Sequence, residues 1–399
     1  MRPRHTQHSL PAFPIHSATF VASDKLVIGG GGGSSKSGIK NKLRLYSVGS
    51  DRSIDLKNEI EVEDAPTSMA VDLKSSTIIC GINSPPEKIQ KGENENCRLF
   101  SLNGDVFRAG TSRSTLPADE DDYQKVTVIS PDCKLVVVAG CHSLSLLSFP
   151  SLTPAAPSIQ LEREIYDATF SSTGETLVVA TTHNLHVYST KVRSMSSSPK
   201  KSKSKNKTKT ITEKTESMEL LQTIELPSST GGPGACTFRS VRYHPSNDNV
   251  VYTVINTSPP RERGRKTPAR QGYILKWNAL TWTVEKQKKV GDKGLTAFDI
   301  SLDGRFLGYG SSDLSIGILD PKTLTPLCTV LKAHEFPPTA VRFDPTTKII
   351  ASGSADNTLR IVTIPEVVGG SSWTVIILVV MTLLVVVIAI AMQNGRLTW

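Results

Sequence analysis

Near the carboxyl end of the chain, residues 338–361 read PTAVRFDPTTKIIASGSADNTLRI. An apolar run ends at Phe343, the turn formers Asp344 and Pro345 follow, and a second apolar run leads into the small residues of 351–355. Apolar runs of this length, bounded by turn residues, are typical of short β-strands. This stretch therefore predicts antiparallel strands that are joined by tight turns.

The same pattern of strand, turn and strand recurs along the chain. The residues that directly precede the successive turns are Phe20, Val71, Ile129, Phe170, Tyr243, Ile300 and Phe343. The closest of these are 41 to 43 residues apart, which is the length of a four-stranded propeller blade. The sequence predicts an all-β fold, a seven-bladed β-propeller over residues 1–365. Two packed β-sheets are the alternative.

The last unit resembles a WD repeat, although Val362 and Thr363 replace the final Trp-Asp. In such repeats the residues that match His334 and Asp356 form hydrogen bonds within the blade. The resemblance therefore implies a structural role for both residues, and a catalytic role is the less favoured interpretation.

A glycine-rich segment interrupts the first unit, where residues 29–41 read GGGGGSSKSGIKN. Glycine lowers the stability of ordered backbone, so five in a row indicate a loop that must approach a ligand, an ion or a partner closely. A phosphate-binding P-loop is the obvious alternative, but Ser35 replaces its last glycine and a strand pattern follows instead of a helix. A hairpin tip without function is the other alternative.

The second strong feature is an uncharged apolar run over residues 373–392. As a helix of about 1.5 Å rise per residue it would span roughly 30 Å, the thickness of a bilayer core. We predict a linker at 366–372, a transmembrane helix at 373–392 and a short lumenal tail at 393–399. Residues 1–20 have no apolar core and so do not resemble a secretory signal. We therefore expect the propeller to be cytosolic.

The net charge of +9 comes largely from two basic insertions, at 194–214 and 258–270. The first is polar, of low complexity and rich in lysine, which is typical of a disordered, solvated loop. Contact with an anionic lipid surface is an alternative. Aromatic residues are not interleaved with the basic ones, so the pattern does not favour nucleic-acid binding. The six cysteines are scattered without zinc-site spacing.

One motif connects these features to a known family. The sequence LVIGGGG at 26–32, followed by GIKNKL at 38–43, resembles that of the endoplasmic-reticulum exchange factors that start COPII coat assembly, the family of prolactin regulatory element-binding protein. The glycine run is one residue longer here, and Lys40 stands where the family has proline. A propeller followed by a membrane anchor is also the architecture of that family.

The resemblance implies a guanine nucleotide exchange factor, which performs no covalent chemistry, in the endoplasmic reticulum membrane. Its partner would be a Sar-type small GTPase. The residues that would promote exchange are Asn41, Gly38 and Ile39. The residues of the loop that would contact the partner are Gly29, Gly30, Gly31, Gly32, Gly33, Ser34, Ser35, Lys36, Ser37 and Lys40.

The resemblance further implies a bound potassium ion. Its expected ligands are the carbonyl oxygens of Gly30, Gly31, Gly32 and Gly38, since oxygen ligands suit hard cations. A membrane-anchored WD-repeat scaffold without exchange activity is the alternative function.

Overall fold

A computed structural model describes residues 3–35, 37–117, 119, 121–194, 216–228, 236–257, 270–365 and 372–393. The chain divides into two compact units, Met1–Ile364 and Pro365–Trp399. Most of both basic insertions, most of the predicted linker and nearly all of the predicted tail lie outside the described residues, as does Lys36.

The described part of the first unit is built almost entirely of β-strands, with one short helix, α1 (Pro86–Ile89). The strands are β1 (His5–Ser9), β2 (Ile15–Ala22), β3 (Lys25–Gly30), β4 (Lys42–Val48), β5 (Ile54–Glu61), β6 (Ser68–Asp72), β7 (Thr77–Gly81), β8 (Cys97–Asn103), β9 (Val106–Arg113), β10 (Val126–Ile129), β11 (Leu135–Ala139), β12 (Ser143–Ser148), β13 (Ile159–Gln160), β14 (Ile165–Phe170), β15 (Thr176–Thr181), β16 (Asn184–Ser194), β17 (Glu216–Glu225), β18 (Cys236–His244), β19 (Asn247–Thr257), β20 (Gly272–Asn278), β21 (Thr283–Gly291), β22 (Leu295–Ile300), β23 (Leu307–Ser311), β24 (Ile316–Leu319), β25 (Pro326–Val330), β26 (Pro338–Phe343), β27 (Ile349–Ser354) and β28 (Thr358–Thr363).

These strands form seven four-stranded antiparallel sheets, which confirms the predicted seven-bladed propeller. Six blades take four consecutive strands each, from β2–β5 to β22–β25. The first strand of each blade contacts the first strand of the next, and β26 contacts β2, so that seven inner strands form a closed ring. The seven residues that marked the predicted turns all lie in these inner strands.

The amino-terminal strand closes the ring. β1 pairs with β28, with His5 opposite Val362 and Ser9 opposite Thr358, and so completes the seventh blade. The core lies between neighbouring blades: Leu26 and Ile28 of β3 pack in one buried cluster with Leu359 and Ile361 of β28. Each such side chain contributes about 1.5–3 kcal/mol when it is fully buried.

The antiparallel order of each blade defines two faces of the propeller. The β3–β4 loop lies at the same end of its blade as the start of the inner strand, because Gly30 pairs with Ile15. We call this end the loop face. We call the opposite end of the blades the exit face. It carries the connection from β16 to β17 and the end of β28, where the chain leaves the propeller.

The second unit contains one helix, α2 (Ser372–Gln393), over the segment that was predicted to cross a membrane. Large apolar side chains between Ile377 and Ile390 are exposed along it. Judged on the described residues alone, no helix has the combined length and apolar character of a membrane span. The transmembrane anchor stays a prediction.

The structure places His334 and Asp356 inside the hydrogen-bond network of the seventh blade. The Thr358 hydroxyl donates to Asp356 Oδ1 at 2.6 Å, so it accepts from Nδ1 of His334, also at 2.6 Å. Nε2 of His334 then accepts from the Ser352 hydroxyl at 2.8 Å. Asp356 Oδ2 accepts from the Glu335 amide at 2.6 Å. The ring is therefore neutral and fully bonded, as a structural histidine should be.

This histidine should make the stability of the propeller depend on pH. Burial lowers the pKa of His334 to about 4, although the nearby Asp356 carboxylate opposes the shift. The unfolded chain then binds a proton more readily than the folded blade does. The stabilisation of the folded state by the neutral His334 is therefore fully present above about pH 6.5, and it is lost as the pH falls towards 4.

We expect His334→Gln to lower the free energy of unfolding at pH 7.5 by about 1–3 kcal/mol, because its partners lose hydrogen bonds. It should also reduce the loss of stability between pH 7 and pH 5. Urea unfolding of both proteins at the two pH values measures this. An equal pH dependence in the two proteins would contradict the buried neutral ring.

Candidate functional site

The glycine run does not lie wholly in the loop, and this corrects the predicted boundaries. Gly29 and Gly30 belong to β3, where they pair with Leu43 and Lys42 of β4. A Cβ atom on Gly29 would lie 2.5 Å from Pro66 Cβ, and one on Gly30 would lie 2.9 Å from Phe13 Cε1. These two glycines are needed because neighbouring side chains pack against the strand, so they belong to the strand and not to the loop.

The loop itself runs from Gly31 to Asn41, and its base is held on both sides. The Gly31 amide donates to Pro14 O at 3.0 Å, and the Gly31 carbonyl accepts from His16 Nε2 at 3.0 Å. Gly31 has a φ of +140°, and a Cβ atom there would lie 2.5 Å from the Asn41 Cα. Gly31 therefore allows the two ends of the loop to approach each other closely.

Asn41 ties the loop together. Its Oδ1 accepts from the Gly33 amide at 2.8 Å, and its Nδ2 donates to the Gly33 carbonyl at 3.1 Å and to the Glu63 carbonyl at 3.3 Å. Only 8% of the residue is exposed. Asn41 thus fixes the conformation of Gly33 and is itself turned away from solvent. Its geometry is that of a positioning residue and not of one that touches a partner.

The outer part of the loop faces solvent. Ser34, Ser35, Ser37 and Gly38 are exposed or partly exposed, and Ile39 is half-buried. Two local hydrogen bonds order the backbone here, from the Ser35 hydroxyl to Gly32 O at 2.5 Å and from the Ile39 amide to Ser37 Oγ at 3.4 Å. Among the described residues of the loop, those available to a partner are therefore Ser34, Ser35, Ser37, Gly38, the half-buried Ile39 and Lys40.

The lysines beside the loop are paired with glutamates. Lys40 Nζ lies 2.7 Å from Glu61 Oε1, and this hydrogen bond raises the pKa of Lys40. Lys42 and Arg44 both bond Glu59, and these bonds lower the pKa of that carboxyl. These pairs leave little net positive charge at the loop base.

Asp64 is a residue of this site that the sequence did not indicate. Its Oδ1 accepts from the Ala65 amide at 2.8 Å, and a Cβ atom on Gly33 would lie 3.7 Å from that oxygen. Among the described residues Asp64 has no ion-pair partner, and burial raises its pKa. A partly buried carboxylate beside the loop backbone could accept a cation, but no local sequence pattern marks it.

The four predicted potassium ligands are not equivalent. Gly31 O and Gly32 O each accept one side-chain hydrogen bond and keep a second lone pair. Gly30 lies in a strand that is paired on both sides, and Gly38 lies on the exposed tip. Of the four, the Gly31 and Gly32 carbonyls therefore keep the free lone pairs that a cation would need. No cluster of His, Cys, Asp and Glu among the described residues could hold a metal.

Gly38 allows the role of the loop to be tested with a matched glycine. Gly38 and Gly104 have φ values of +76° and +62°. At both positions a Cβ atom would have no heavy atom within 4 Å, apart from those of the two chain neighbours. Alanine at either position should therefore cost about 1–2 kcal/mol of backbone strain and no steric clash. Gly104 lies in the β8–β9 turn on the exit face.

We expect Gly38→Ala and Gly104→Ala to lower the melting temperature by similar amounts, and only Gly38→Ala to impair the activity of the loop. Differential scanning calorimetry measures the first effect, and the rate of GDP release from a Sar-type GTPase, the partner that the resemblance implies, measures the second. Equal activity in the two variants would show that the conformation at Gly38 does not matter.

The loop face also carries a central cavity of about 510 Å³, lined by residues from the inner strands. Arg242, which lines the cavity, is paired with two carboxylates: its Nη1 lies 2.5 Å from Asp167 Oδ2, and Asp299 lies within 4 Å of both Arg242 and Arg342. These ion pairs connect neighbouring blades around the channel. Arg242, Asp167 and Arg342, which line the cavity, therefore have a structural role.

Comparison with known proteins supports both the fold and the resemblance. The family model "WD domain, G-beta repeat" matches residues 325–362. The chain is 25% identical over 380 residues to the guanine nucleotide-exchange factor SEC12 of Candida glabrata, covering 90% of this chain and 72% of the relative. It is 24% identical over 376 residues to the putative exchange factor SED4 of that yeast, covering 90% and 32%. It is 23% identical over 309 residues to SEC12-like protein 2 of Arabidopsis thaliana, covering 76% and 66%.

Fold and site together define a WD-repeat β-propeller with a glycine-rich loop in its first blade. The similarity to SEC12 and SEC12-like proteins extends over most of the chain and confirms the resemblance inferred from the glycine motif. The chain is thus a relative of the SEC12 guanine nucleotide-exchange factors.

Proposed function

We propose that this protein is a guanine nucleotide exchange factor for a Sar-type small GTPase, and that the loop from Gly31 to Asn41 promotes GDP release. The observation that carries this proposal is the side chain of Asn41, which holds Gly33 through its amide and its carbonyl. A side chain that holds the loop in one conformation would keep its exposed tip ready to meet a partner. The SEC12 relatives are named as exchange factors.

The mechanism follows from what an exchange factor must do. A GTPase holds its nucleotide through a phosphate-binding loop, Mg²⁺ and ordered switch segments. Only a partner that binds the nucleotide-free state more tightly can shift the equilibrium towards release. The exposed tip, of which Ser34, Ser35, Ser37 and Gly38 are described, is rich in small residues, so its backbone could enter the nucleotide site. Asn41 would keep that tip in the required conformation.

A potassium ion at the loop base is part of this proposal. The Gly31 and Gly32 carbonyls would hold the ion through their second lone pairs, and the Asp64 carboxylate, which lies beside Gly33, would balance its charge. We expect replacement of KCl by choline chloride at equal ionic strength to slow the catalysed release of GDP and to lower the melting temperature. Asp64→Asn should abolish the difference in melting temperature between the two salts. Identical behaviour of the parent protein in both salts would contradict potassium binding.

We further propose that residues 373–392 anchor the protein in the endoplasmic reticulum membrane, where exchange would start COPII vesicle formation. The chain leaves the propeller at the exit face, where the Ile364 amide bonds Lys348 O at 2.9 Å. The insertion at 194–214 is attached to the same face through β16 and β17. A lysine-rich segment on this face could contact anionic lipid. The insertion at 258–270 is attached to the loop face instead.

The thermodynamic requirement provides a direct test. We expect the protein to bind the nucleotide-free GTPase at least about tenfold more tightly than the GDP-bound form, because an exchange factor must distinguish the two states. Isothermal titration calorimetry with the full chain in detergent measures both affinities. The alternative function, an anchored scaffold, predicts equal affinities or no binding, and either result would exclude the exchange mechanism.

A further inference from the structure

An exposed phenylalanine lies on an unusually well-fixed segment of the loop face. Phe336 is 58% exposed in the connection between β25 and β26, and Leu331 in the same connection is 76% exposed. Exposed large apolar residues are common on protein surfaces and mean little when they lie on mobile segments. The backbone around Phe336 is therefore the deciding observation.

That backbone is held from several directions. The Ser354 hydroxyl donates to the carbonyls of Phe336 at 3.0 Å and of Pro337 at 3.3 Å. The Glu335 amide donates to Asp356 at 2.6 Å. Two prolines, Pro337 and Pro338, directly follow and restrict the chain further. The WD-type network of the seventh blade thus fixes the main chain, while the side chain of Phe336 stays exposed.

The same segment is connected to the base of the glycine loop. One residue beyond Pro338, the Thr339 hydroxyl donates to Ile15 O at 2.6 Å, across the junction between the seventh and first blades. Ile15 pairs with Gly30, and the next residue, His16, bonds the Gly31 carbonyl. A short chain of hydrogen bonds therefore relates the position of Phe336 to that of the loop.

We propose that Phe336, supported by Leu331, is an apolar anchor for the same small GTPase, beside the glycine loop. This inference rests on the proposed exchange function. Rigid aromatic residues make strong contacts at interfaces because little conformational entropy is lost when they become buried. The seventh blade adjoins the first and both segments lie on the loop face, so a GTPase whose nucleotide site receives the loop has this segment within the neighbouring blade. The anchor holds the partner, and the loop acts on the nucleotide.

The test compares matched residues on the two faces. Leu280 is 74% exposed in the β20–β21 turn on the exit face and is the control for Leu331. We expect Phe336→Ala to weaken binding to the nucleotide-free GTPase about tenfold to thirtyfold and Leu331→Ala to weaken it by a smaller factor. Leu280→Ala should leave the affinity within about twofold of the parent, as expected of a side chain outside the interface. The affinities are measured by calorimetry with the full chain, and melting temperatures confirm folding.

The rate at saturation separates anchoring from exchange. When Phe336→Ala is added at concentrations well above its dissociation constant, GDP release should regain the rate of the parent, because the loop is unchanged. If the parent binds the GTPase and Phe336→Ala binds equally well, the anchor is wrong and the exchange function stands. If the parent itself does not bind, both proposals are wrong.

Discussion

Replacement of residues 31–41 by Asn-Gly should abolish the acceleration of GDP release and leave the propeller folded. Gly30 and Lys42 are directly paired in the β3–β4 ladder, so a two-residue turn can join them. The replacement removes the hydrogen bonds that Gly31 makes with Pro14 and His16 and that Asn41 makes with Glu63, while the strand pairs of the blade and its buried apolar residues stay. We expect the catalysed rate to fall at least about thirtyfold, which corresponds to the loss of one interaction of roughly 2 kcal/mol.

The control for this replacement is a loop of unchanged length. A variant in which residues 31–41 are replaced by alternating glycine and serine keeps the reach of the loop but loses Asn41 and Ile39. We expect it to be as inactive as the short turn, since the proposed role depends on a fixed conformation. Full activity of the short-turn variant, with an unchanged melting temperature, would exclude the loop from the mechanism.

Asn41→Ala should produce nearly as large a loss from a single substitution. It removes three hydrogen bonds, two of which fix Gly33. The stability of the protein should fall by about 1–3 kcal/mol, since the partners are left without a buried donor or acceptor. The exchange rate should fall about tenfold or more, because the outer part of the loop then samples many conformations.

Asn278 provides a matched control for Asn41. Its Oδ1 accepts from the amides of Leu280 and Thr281, and its Nδ2 donates to Glu285 at 3.4 Å, all at the turn between β20 and β21 on the exit face. Asn278→Ala should therefore lower stability without changing exchange. Equal exchange rates for Asn41→Ala and Asn278→Ala would contradict the positioning role of Asn41.

The inner strands of all seven blades could be predicted from the sequence because each combines an apolar run with a turn. The closing strand could not. β1 has the sequence HTQHS and alternates between exposed and half-buried positions, so it has no apolar pattern to recognise. It becomes a strand because β28 offers an unpaired edge. This is a property of the assembled propeller and is absent from the local sequence.

The glycine run shows a similar limit within the site. Five identical residues cannot reveal that two lie in a strand against Phe13 and Pro66 and that the other three open the loop. The resemblance implies a role in exchange for Asn41, and its buried hydrogen bonds indicate that this role would be to hold the loop base. Asp64 was missed because a single acidic residue is significant only once its burial and its neighbours are known.

The most direct test of the account is the rate of GDP release from a Sar-type GTPase, followed with fluorescent GDP in potassium buffer. The parent chain and the short-turn variant are compared at equal concentration in vesicles. The account predicts clear acceleration by the parent and the intrinsic rate with the variant. Absence of acceleration by a folded parent, or equal acceleration by both proteins, would contradict it.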